Sequence, residues 1–424
     1  MLGSVLLTGY AIGASTDSTT DSTSSNTTST TSSDSGSLVT SVPPTSASPS
    51  TAPVQLAPDA SDTHRPFVIS CTLREAYDDN IFTAHVNKVG SFETIMSPSI
   101  LFDLPMQNSS LSLRETFGAT YYESRPGSQF DFDNDFVARF THNFSDRFSM
   151  DASEDFRYST EPSLFDSTGT LYRNGGYITN TINGDFTAQW TPLFSTLSTF
   201  SNTIVNYESS SVGTEQNSQE NIGSQNFSWA ILPKISFVVG GIVDNISYDD
   251  INRGYTSYTG NTGIDWQALP SMTLGVRVGG SYTTTDSSGD LVSPYGSLTF
   301  NWKLGARSTL NFAYTHSTTP TDVTQASAQT ADRLDVLFNY DVTSSITTHL
   351  EGIYTYSSYP QNFVTPGTIS NFSENDYAVD LGADYHCNKY MDLEAGYTFS
   401  GVSSELDFRD YTRNVFYVGV RGTY

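Results

Sequence analysis

The sequence predicts an all-β fold, a transmembrane antiparallel up-and-down β-barrel of about 18 strands, preceded by a disordered N-terminal tail. Three observations predict it. From Arg65 onward, apolar and polar side chains alternate, which is the period of a β-strand. Short and long polar breaks alternate between these segments. Beyond the N-terminus the longest apolar stretch is Phe237–Val243, far below the roughly 20 residues of a membrane-spanning helix.

The first 64 residues differ from the rest. Leu2–Ile12 is a short apolar run that ends in Ala11-Ile12-Gly13, the small-x-small form of a signal-peptidase site. We therefore expect a signal peptide at 1–13, although no Lys or Arg precedes the run. A disordered start that happens to be apolar is the alternative, and whether Met1 is the true start stays open. Residues 14–64 are rich in Ser, Thr, Asp and Pro and predict a disordered spacer. Residues 65–424 form the predicted barrel.

The composition excludes some classes of protein. Hydrophobic residues make up 37% and charged residues 15%, both below the usual values of about 45–50% and 25%. Aromatic residues reach 13%, whereas disordered chains are poor in them. A formal net charge of −26 argues against nucleic acid as a partner, because its binding needs basic patches. The two cysteines, Cys71 and Cys387, specify no disulfide framework, so their pairing stays open.

The alternation assigns side chains to two faces. In Phe130–Phe136 the even positions are largely aromatic and the odd positions largely acidic. Met272–Gly279 and Tyr377–Tyr385 alternate in the same way. One face of each strand is therefore apolar and the other is charged, polar or small.

Eight short and nine long breaks separate the strands. An even strand number, with short turns at one end and long loops at the other, is typical of an outer-membrane barrel. A soluble β-sandwich also alternates, but such a domain usually has only ~100 residues. Three long loops are candidates for folding into the barrel: Thr160–Gly175, Thr318–Thr330 and Tyr359–Ser373.

The last strand carries a candidate assembly signal for the barrel-assembly machinery. Its aromatic and aliphatic members share one face, and a glycine accompanies them: Phe416, Val418, Val420 and Tyr424, with Gly419. Gly422 stands where a larger apolar residue is usual. The alternative is that Tyr424 is simply the last residue of an edge strand.

Two segments resemble a known family. Arg74–Phe82, near the start of the first strand, and Asn414–Tyr424, at the end of the last, are similar to the opening and closing segments of the putative β-barrel porin-2 family. The resemblance implies a single outer-membrane barrel that acts as a passive channel. Some similar proteins accompany exopolysaccharide export.

Strand phase also predicts which charged side chains line the pore. Arginines should point inward, because at mid-depth on the lipid face they cost about 2–4 kcal/mol. The predicted pore-lining residues are Arg74, Arg114, Asp131, Asp133, Asp135, Arg139, Asp151, Asp155, Arg157, Arg277, Arg333, Asp335, Asp380, Asp384, Asp392, Glu394 and Arg421. The acids outnumber the arginines, which favours a weak preference for cations. The alternative is that these charges neutralise one another across neighbouring strands and fix the register.

The sequence contains no pattern that predicts catalysis, a metal site or a cofactor. Asp131-x-Asp133-x-Asp135 resembles half of a calcium loop, but Phe136 and His142 stand where that loop needs Gly and Glu. There is no His-Glu-x-x-His motif and no phosphate-binding loop. A Ser, His and Asp brought together from separate strands would leave no such pattern.

We therefore expect a channel in a bacterial outer membrane, surrounded by lipid, for passive diffusion of small hydrophilic solutes or ions. An exopolysaccharide export channel with partner export proteins is one alternative. A structural barrel whose loops bind ligands is another.

Overall fold

The computed structural model describes residues 66–160, 176–209, 215–249, 253–286, 289–364 and 371–424. In these ranges the chain forms 18 strands and one 3₁₀ turn, Asp407–Arg409. The strands are β1 (Phe67–Asp78), β2 (Ser91–Pro105), β3 (Ser109–Tyr122), β4 (Phe130–Ser145), β5 (Phe148–Ser159), β6 (Tyr177–Thr191), β7 (Phe194–Tyr207), β8 (Ser218–Leu232), β9 (Ile235–Tyr248), β10 (Tyr255–Leu269), β11 (Met272–Thr285), β12 (Leu291–Lys303), β13 (Ser308–Thr319), β14 (Gln329–Thr343), β15 (Ile346–Tyr359), β16 (Phe372–Asn388), β17 (Met391–Ser404) and β18 (Tyr411–Thr423). The predicted signal peptide (1–13) and spacer (14–64) lie outside the described residues.

The sheet closes on itself. Each strand pairs antiparallel with its neighbours in sequence, and β1 also pairs with β18, from Ser70 opposite Thr423 to Asp78 opposite Val415. The backbone N–H of Tyr424 donates to the carbonyl of Ile69 at 2.8 Å, and the N–H of Ile69 donates back at 3.0 Å. Closure removes the free edges of the sheet. It confirms the predicted barrel and the predicted strand number.

The two ends of the barrel differ. Connections after even-numbered strands have two to four residues, and connections after odd-numbered strands have five to seventeen. We call these the short-turn end and the long-loop end. Phe67 and Thr423 both lie at the short-turn end. This asymmetry agrees with the alternation of short and long breaks that the sequence predicted.

The outer face is apolar and carries two aromatic belts. Phe117 and Phe200 are 44% and 50% exposed, while neighbours one residue away point inward. The belt near the short-turn end contains Trp190, Trp229, Trp266, Trp302, Tyr340 and Tyr385, and the belt near the long-loop end contains Tyr77, Tyr121, Tyr258, Tyr282 and Tyr377. Such belts suit the two interfaces of a lipid bilayer. Among the described residues, no helix is long and apolar enough to cross a membrane.

Two of the three clusters of buried apolar residues involve long loops, and the third lies on β15 to β18. One cluster joins Val323 and Ala326 to Tyr359, Val364 and Phe372. A second cluster joins Ala328 and Phe363 to Ile246 and Tyr255. Both clusters contain residues of the connection 320–328, so this loop packs inside the mouth of the barrel.

Candidate functional site

The structure places every predicted pore-lining residue on the inward phase of its strand. Asp131, Asp133 and Asp135 alternate with Phe130 and Phe132, which are exposed on the outside. The same alternation places these others inward: Arg74, Arg114, Arg139, Asp151, Asp155, Arg157, Arg277, Arg333, Asp335, Asp380, Asp384, Asp392, Glu394 and Arg421. That they line an open water-filled pore stays a prediction.

One charged wall is formed by β3 to β6. Strand β4 places Asp131, Asp133 and Asp135 on successive inward positions. The Arg125 guanidinium, in the loop after β3, contacts Asp131 at 2.5 Å, and Arg114 contacts Asp135 at 3.4 Å. The Asp135 side chain is 27% exposed. This wall, which also contains Asp151 and Asp155, therefore presents a carboxylate to the space inside the barrel.

A second charged wall is formed by β14 to β18 and β1, and its charges are closely paired. Glu394 accepts from Arg74 at 2.7 Å and from Arg421 at 2.9 Å. The Arg74 guanidinium also lies over the ring of Tyr417, 4.1 Å from its centroid. Charge-assisted pairs of this length are strong because they are partly removed from water. They hold β17, β18 and β1 together at the seam of the barrel.

The same wall contains two histidine–carboxylate contacts. His349 Nε2 lies 2.7 Å from Asp380 Oδ2, and His386 Nδ1 lies 2.8 Å from Asp392 Oδ1. Arg333 Nε donates to Asp335 at 3.0 Å. Of the ion pairs on this wall, Glu394 with Arg421 joins neighbouring strands, whereas Arg333 and Asp335 lie on one strand. That most of the predicted charges neutralise one another across strands stays a prediction.

Sequence reasoning missed several inward acids. Glu351 lies on β15 beside His349, Asp185 lies on β6, and Asp265 of β10 accepts two hydrogen bonds from Arg277, at 2.7 and 2.9 Å. Strand phase alone would have found them, because Glu351 alternates with Leu350. Glu374 and Asp376, also inward, start the same alternating pattern that contains Asp380.

The connection 320–328, which we call the crossing loop, spans the mouth at the long-loop end. On one side Arg253, just before β10, donates from Nε to the carbonyl of Ala326 at 3.1 Å and from Nη2 to that of Thr321 at 2.5 Å. Tyr248 Oη also donates to the Thr321 carbonyl, at 3.1 Å. Guanidinium and phenol donors thus fix the backbone of the loop at β9 and β10.

On the other side, Arg409 holds the crossing loop to the opposite wall. Its Nη2 donates to Asp322 Oδ1 at 3.0 Å, and its Nε donates to Glu374 Oε2 at 2.7 Å. Burial lowers the pKa of Arg409, but the carboxylates of Asp322 and Glu374 outweigh it and raise this pKa above its ordinary value. Arg409 therefore stays charged at any physiological pH. Arg253 lies between β9 and β10 and Arg409 between β17 and β18, eight strands further round the 18-strand ring, so the loop is held from nearly opposite sides of the mouth.

A second long loop lies against the crossing loop. Val364 forms an isolated antiparallel bridge with Ala326, and the N–H of Ser327 donates to the carbonyl of Phe363 at 2.8 Å. The connections 318–330 and 359–373 therefore enter the mouth in their described parts. The third candidate, Thr160–Gly175, lies outside the described residues except for Thr160.

The candidate assembly signal occupies β18. Phe416, Val418, Val420 and Tyr424 share the outward face, whereas Gly419 points inward. A Cβ added at Gly419 would lie 2.6 Å from Glu394 Oε1. Gly419 therefore leaves space for the carboxylate that joins Arg74 and Arg421. That the barrel-assembly machinery recognises this strand stays a prediction.

The cysteines are unpaired. Cys71 lies opposite Gly422, which lies opposite Met391, so β18 and β17 separate it from Cys387 on β16. Three strand spacings correspond to about 14 Å, beyond the reach of a disulfide. Within the described ranges, no group of three His, Cys, Asp or Glu side chains could hold a metal ion.

Residues 67–424 match the family described as "Putative beta-barrel porin 2". The chain belongs to this family. It is a family of porins rather than enzymes, which supports a porin-like role and indicates an outer-membrane location. Among curated proteins, none matches the chain.

Three solved structures are also similar to this chain. A BenF-like porin from Pseudomonas fluorescens Pf-5 has 12% identity and a TM-score of 0.47 over 84% of this chain and 99% of that one. OpdK from Pseudomonas aeruginosa has 13% identity and a TM-score of 0.45 over 84% and 99%. OccAB4 from Acinetobacter baumannii has 11% identity and a TM-score of 0.44 over 86% and 100%.

Proposed function

We propose that the protein is a passive channel of the bacterial outer membrane for small hydrophilic solutes or ions, with a weak preference for cations. The observation that carries the proposal is an inward face rich in charged and hydroxyl side chains, within a closed barrel of 18 strands. A barrel of about 16–18 strands encloses an aqueous channel unless loops plug it. The long-loop end then faces outside and the short-turn end faces the periplasm.

The crossing loop supports size exclusion as the basis of selection. It is fixed to β10 by Arg253 and to β16 by the pair of Arg409 with Glu374. A solute must therefore pass beside a fixed loop rather than through the full width of the mouth. The wall of β3 to β6 is the route we propose, because the crossing loop is hydrogen-bonded to residues between β7 and β18, namely Gln216, Arg253 and Arg409.

The cation preference follows from the difference between the two charged walls. On the second wall, Glu394 binds two arginines, and Asp380 contacts His349. On the first wall, Asp135 is partly exposed and its contact with Arg114 is 3.4 Å long. A partly exposed carboxylate on the proposed route raises the local concentration of cations.

Single-channel recording in a planar bilayer under a salt gradient tests the proposal. We expect open steps and a reversal potential on the cation-selective side. The triple variant Asp131→Asn, Asp133→Asn, Asp135→Asn should move the reversal potential toward zero or to the anion side. The matched control is Glu75→Gln, which removes an acid from the outer face of β1 and should leave the reversal potential unchanged.

Two outcomes would contradict parts of this proposal. Anion selectivity in the wild-type protein would keep the channel but remove the role of the carboxylate wall. A folded, heat-modifiable barrel that never conducts would exclude passive diffusion and would favour a structural barrel or an export channel that needs its partner.

The inward aromatic residues favour diffusion over polysaccharide export. An export channel would use inward aromatic rings to stack on sugars, and Tyr122 and Tyr417 are inward aromatic residues. The structure places Arg125 4.8 Å from the ring centroid of Tyr122 and Arg74 4.1 Å from that of Tyr417. Tyr122 is 1% exposed. These two ring faces are therefore covered by the protein itself.

A further inference from the structure

The outer face of the barrel is not uniformly apolar. Around most of the ring, outward positions at mid-strand carry aliphatic side chains such as Leu350 and Leu381, which are 40% and 50% exposed. On β3, β4, β5, β7 and β8, polar side chains occur at this depth between outward aromatic side chains such as Phe117 and Phe200, while β6 carries Ile182 there. We call this surface the polar sector, and it consists of Glu115, Asn134, Glu154, Ser198, Asn202 and Gln225.

The polar sector lies at the depth of the hydrocarbon core. Glu115 is the seventh of 14 residues in β3, and Glu154 is the seventh of 12 in β5. Ser198 lies opposite Gln225, four residues from the aromatic pair of Phe194 and Trp229 at the short-turn end. Acyl chains offer no hydrogen bonds to these groups, and carboxyl groups at mid-membrane normally face protein or water.

Other outward acids lie at a different depth. Glu75 and Asp332 are each the fourth residue from the long-loop end of their strands. Glu75 accepts a hydrogen bond from Thr94 at 2.8 Å, and Asp332 accepts one from Tyr314 at 2.5 Å. They lie at the depth of the aromatic belt near the long-loop end, where water is available. The mid-depth polar groups of β3 to β8 need another explanation.

The two edges of the polar sector have complementary chemistry. The edge formed by β3 and β5 presents the carboxyl groups of Glu115 and Glu154, which as carboxylates only accept hydrogen bonds. The edge formed by β7 and β8 presents the amides of Asn202 and Gln225, which also donate. Within one barrel Asn134 donates to Glu115 at 2.5 Å and Ser198 to Gln225 at 2.6 Å, so each edge is already oriented by its own strand neighbours.

We propose that the polar sector is the contact surface between copies of this chain in a closed cyclic oligomer. The carboxyl edge of one barrel packs against the amide edge of the next. Within one barrel the amide of Gln225 donates to the carbonyls of Leu197 and Asn226 only at 3.3 and 3.2 Å. Because one surface carries both the carboxyl edge and the amide edge, a second copy of this chain covers both with a single contact. A head-to-tail contact of this kind forms a ring when its rotation closes. The sector covers six of the 18 strands, so each barrel turns about a third of its circumference toward the ring axis.

Native mass spectrometry of the protein in lipid nanodiscs tests this assembly. We expect a mass of three or more chains for the wild-type protein. The double variant Asn202→Leu, Gln225→Leu removes both amides of the amide edge and should shift the species to a single chain. Thr348→Leu, which changes an outward hydroxyl on β15, is the matched control and should keep the oligomer. Heat-modifiable gel mobility and conductance per barrel should persist in all three proteins, so loss of assembly is distinguishable from loss of the channel.

Disulfide cross-linking provides a second test that leaves most of the polar sector intact. In a background with Cys71→Ser and Cys387→Ser, we expect Glu154→Cys with Asn202→Cys to give covalent multimers in native membranes. Thr348→Cys with Leu381→Cys, on the opposite side of the ring, should give at least tenfold less. Single-chain wild-type protein in nanodiscs, an oligomer that survives the double leucine change, or a complex that contains a different polypeptide would each overturn the proposal.

Discussion

The contact of Arg409 with the crossing loop allows the sharpest prediction about the channel. Arg409 is buried and binds Glu374 and Asp322, whose side chains are 2% and 12% exposed. The change Arg409→Gln leaves these two carboxylates without their counter-charge. Removal of one partner from a buried ion pair costs about 3–5 kcal/mol. Taking about 3 kcal/mol, and a factor of ten for each ~1.4 kcal/mol, the closed arrangement of the loop loses stability by about 100-fold relative to a displaced one.

Single-channel recording measures this change directly. We expect Arg409→Gln to show larger open steps and frequent transitions between levels, because the crossing loop loses its bond to the β17–β18 connection and keeps those to Arg253, Tyr248 and Phe363. The step size of Arg409→Lys should lie between those of the wild-type protein and Arg409→Gln, because lysine keeps the charge but cannot make the bidentate contact. Arg413→Gln is the matched control. It removes an arginine–carboxylate pair at the same end of the barrel, with Asp78, and leaves the crossing loop intact. A folded Arg409→Gln channel with wild-type step size and closure frequency would refute the reasoning.

Three further predictions concern the seam and the cysteines. Arg74→Leu removes one of the two arginines that bind Glu394 and should lower the free energy of unfolding by about 2 kcal/mol. The measurement is the urea concentration at which half of the protein loses its heat-modifiable gel mobility. An unchanged midpoint would show that Arg421 alone is enough to stabilise Glu394. Gly419→Ala places a Cβ 2.6 Å from Glu394 and should destabilise the barrel by about 1 kcal/mol, whereas Gly422→Ala, which meets nothing within 4 Å, should be neutral. Thiol titration of the unreduced, denatured protein should give two thiols per chain, and a value near zero would contradict the separation of Cys71 from Cys387.

Much of the barrel wall could be predicted from the sequence because its signal is local. Alternation in Phe130–Phe136 decides which way each side chain points, and the alternation of break lengths decides the strand number. The inward position of Arg333 or Asp384 follows from these two facts alone. The outward polar residues Glu115 and Glu154 follow from the same phase, but a sequence pattern gives no reason for a carboxyl group in lipid.

The crossing loop could not be predicted in the same way. Its anchors, Arg253, Asp322 and Arg409, lie in three different connections. Arg409 and Asp322 are 87 residues apart, and Arg253 and Thr321 are 68 apart. Loops have no repeating pattern that fixes the direction of a side chain. Their contacts depend on which strands the ring brings face to face, and that is known only once the barrel has closed.

Closure itself explains why two short segments resemble the family while the middle of the chain shows only alternation. Neighbouring strands along the chain are joined by short turns or loops, so their register is set locally. The pairing of β1 with β18 has no such connection, since its partners are 335 residues apart. Contacts between the two strands must therefore offset the entropy cost of bringing them together. Asp78 binds Arg413 at 2.6 Å, and Asp79 accepts from the Asn414 side chain at 2.7 Å. A one-residue slip would break both contacts and exchange the inward and outward faces. The Arg74–Phe82 and Asn414–Tyr424 segments therefore contain the polar pairs that select one register at the seam, a requirement that no other strand pair in the ring has to meet.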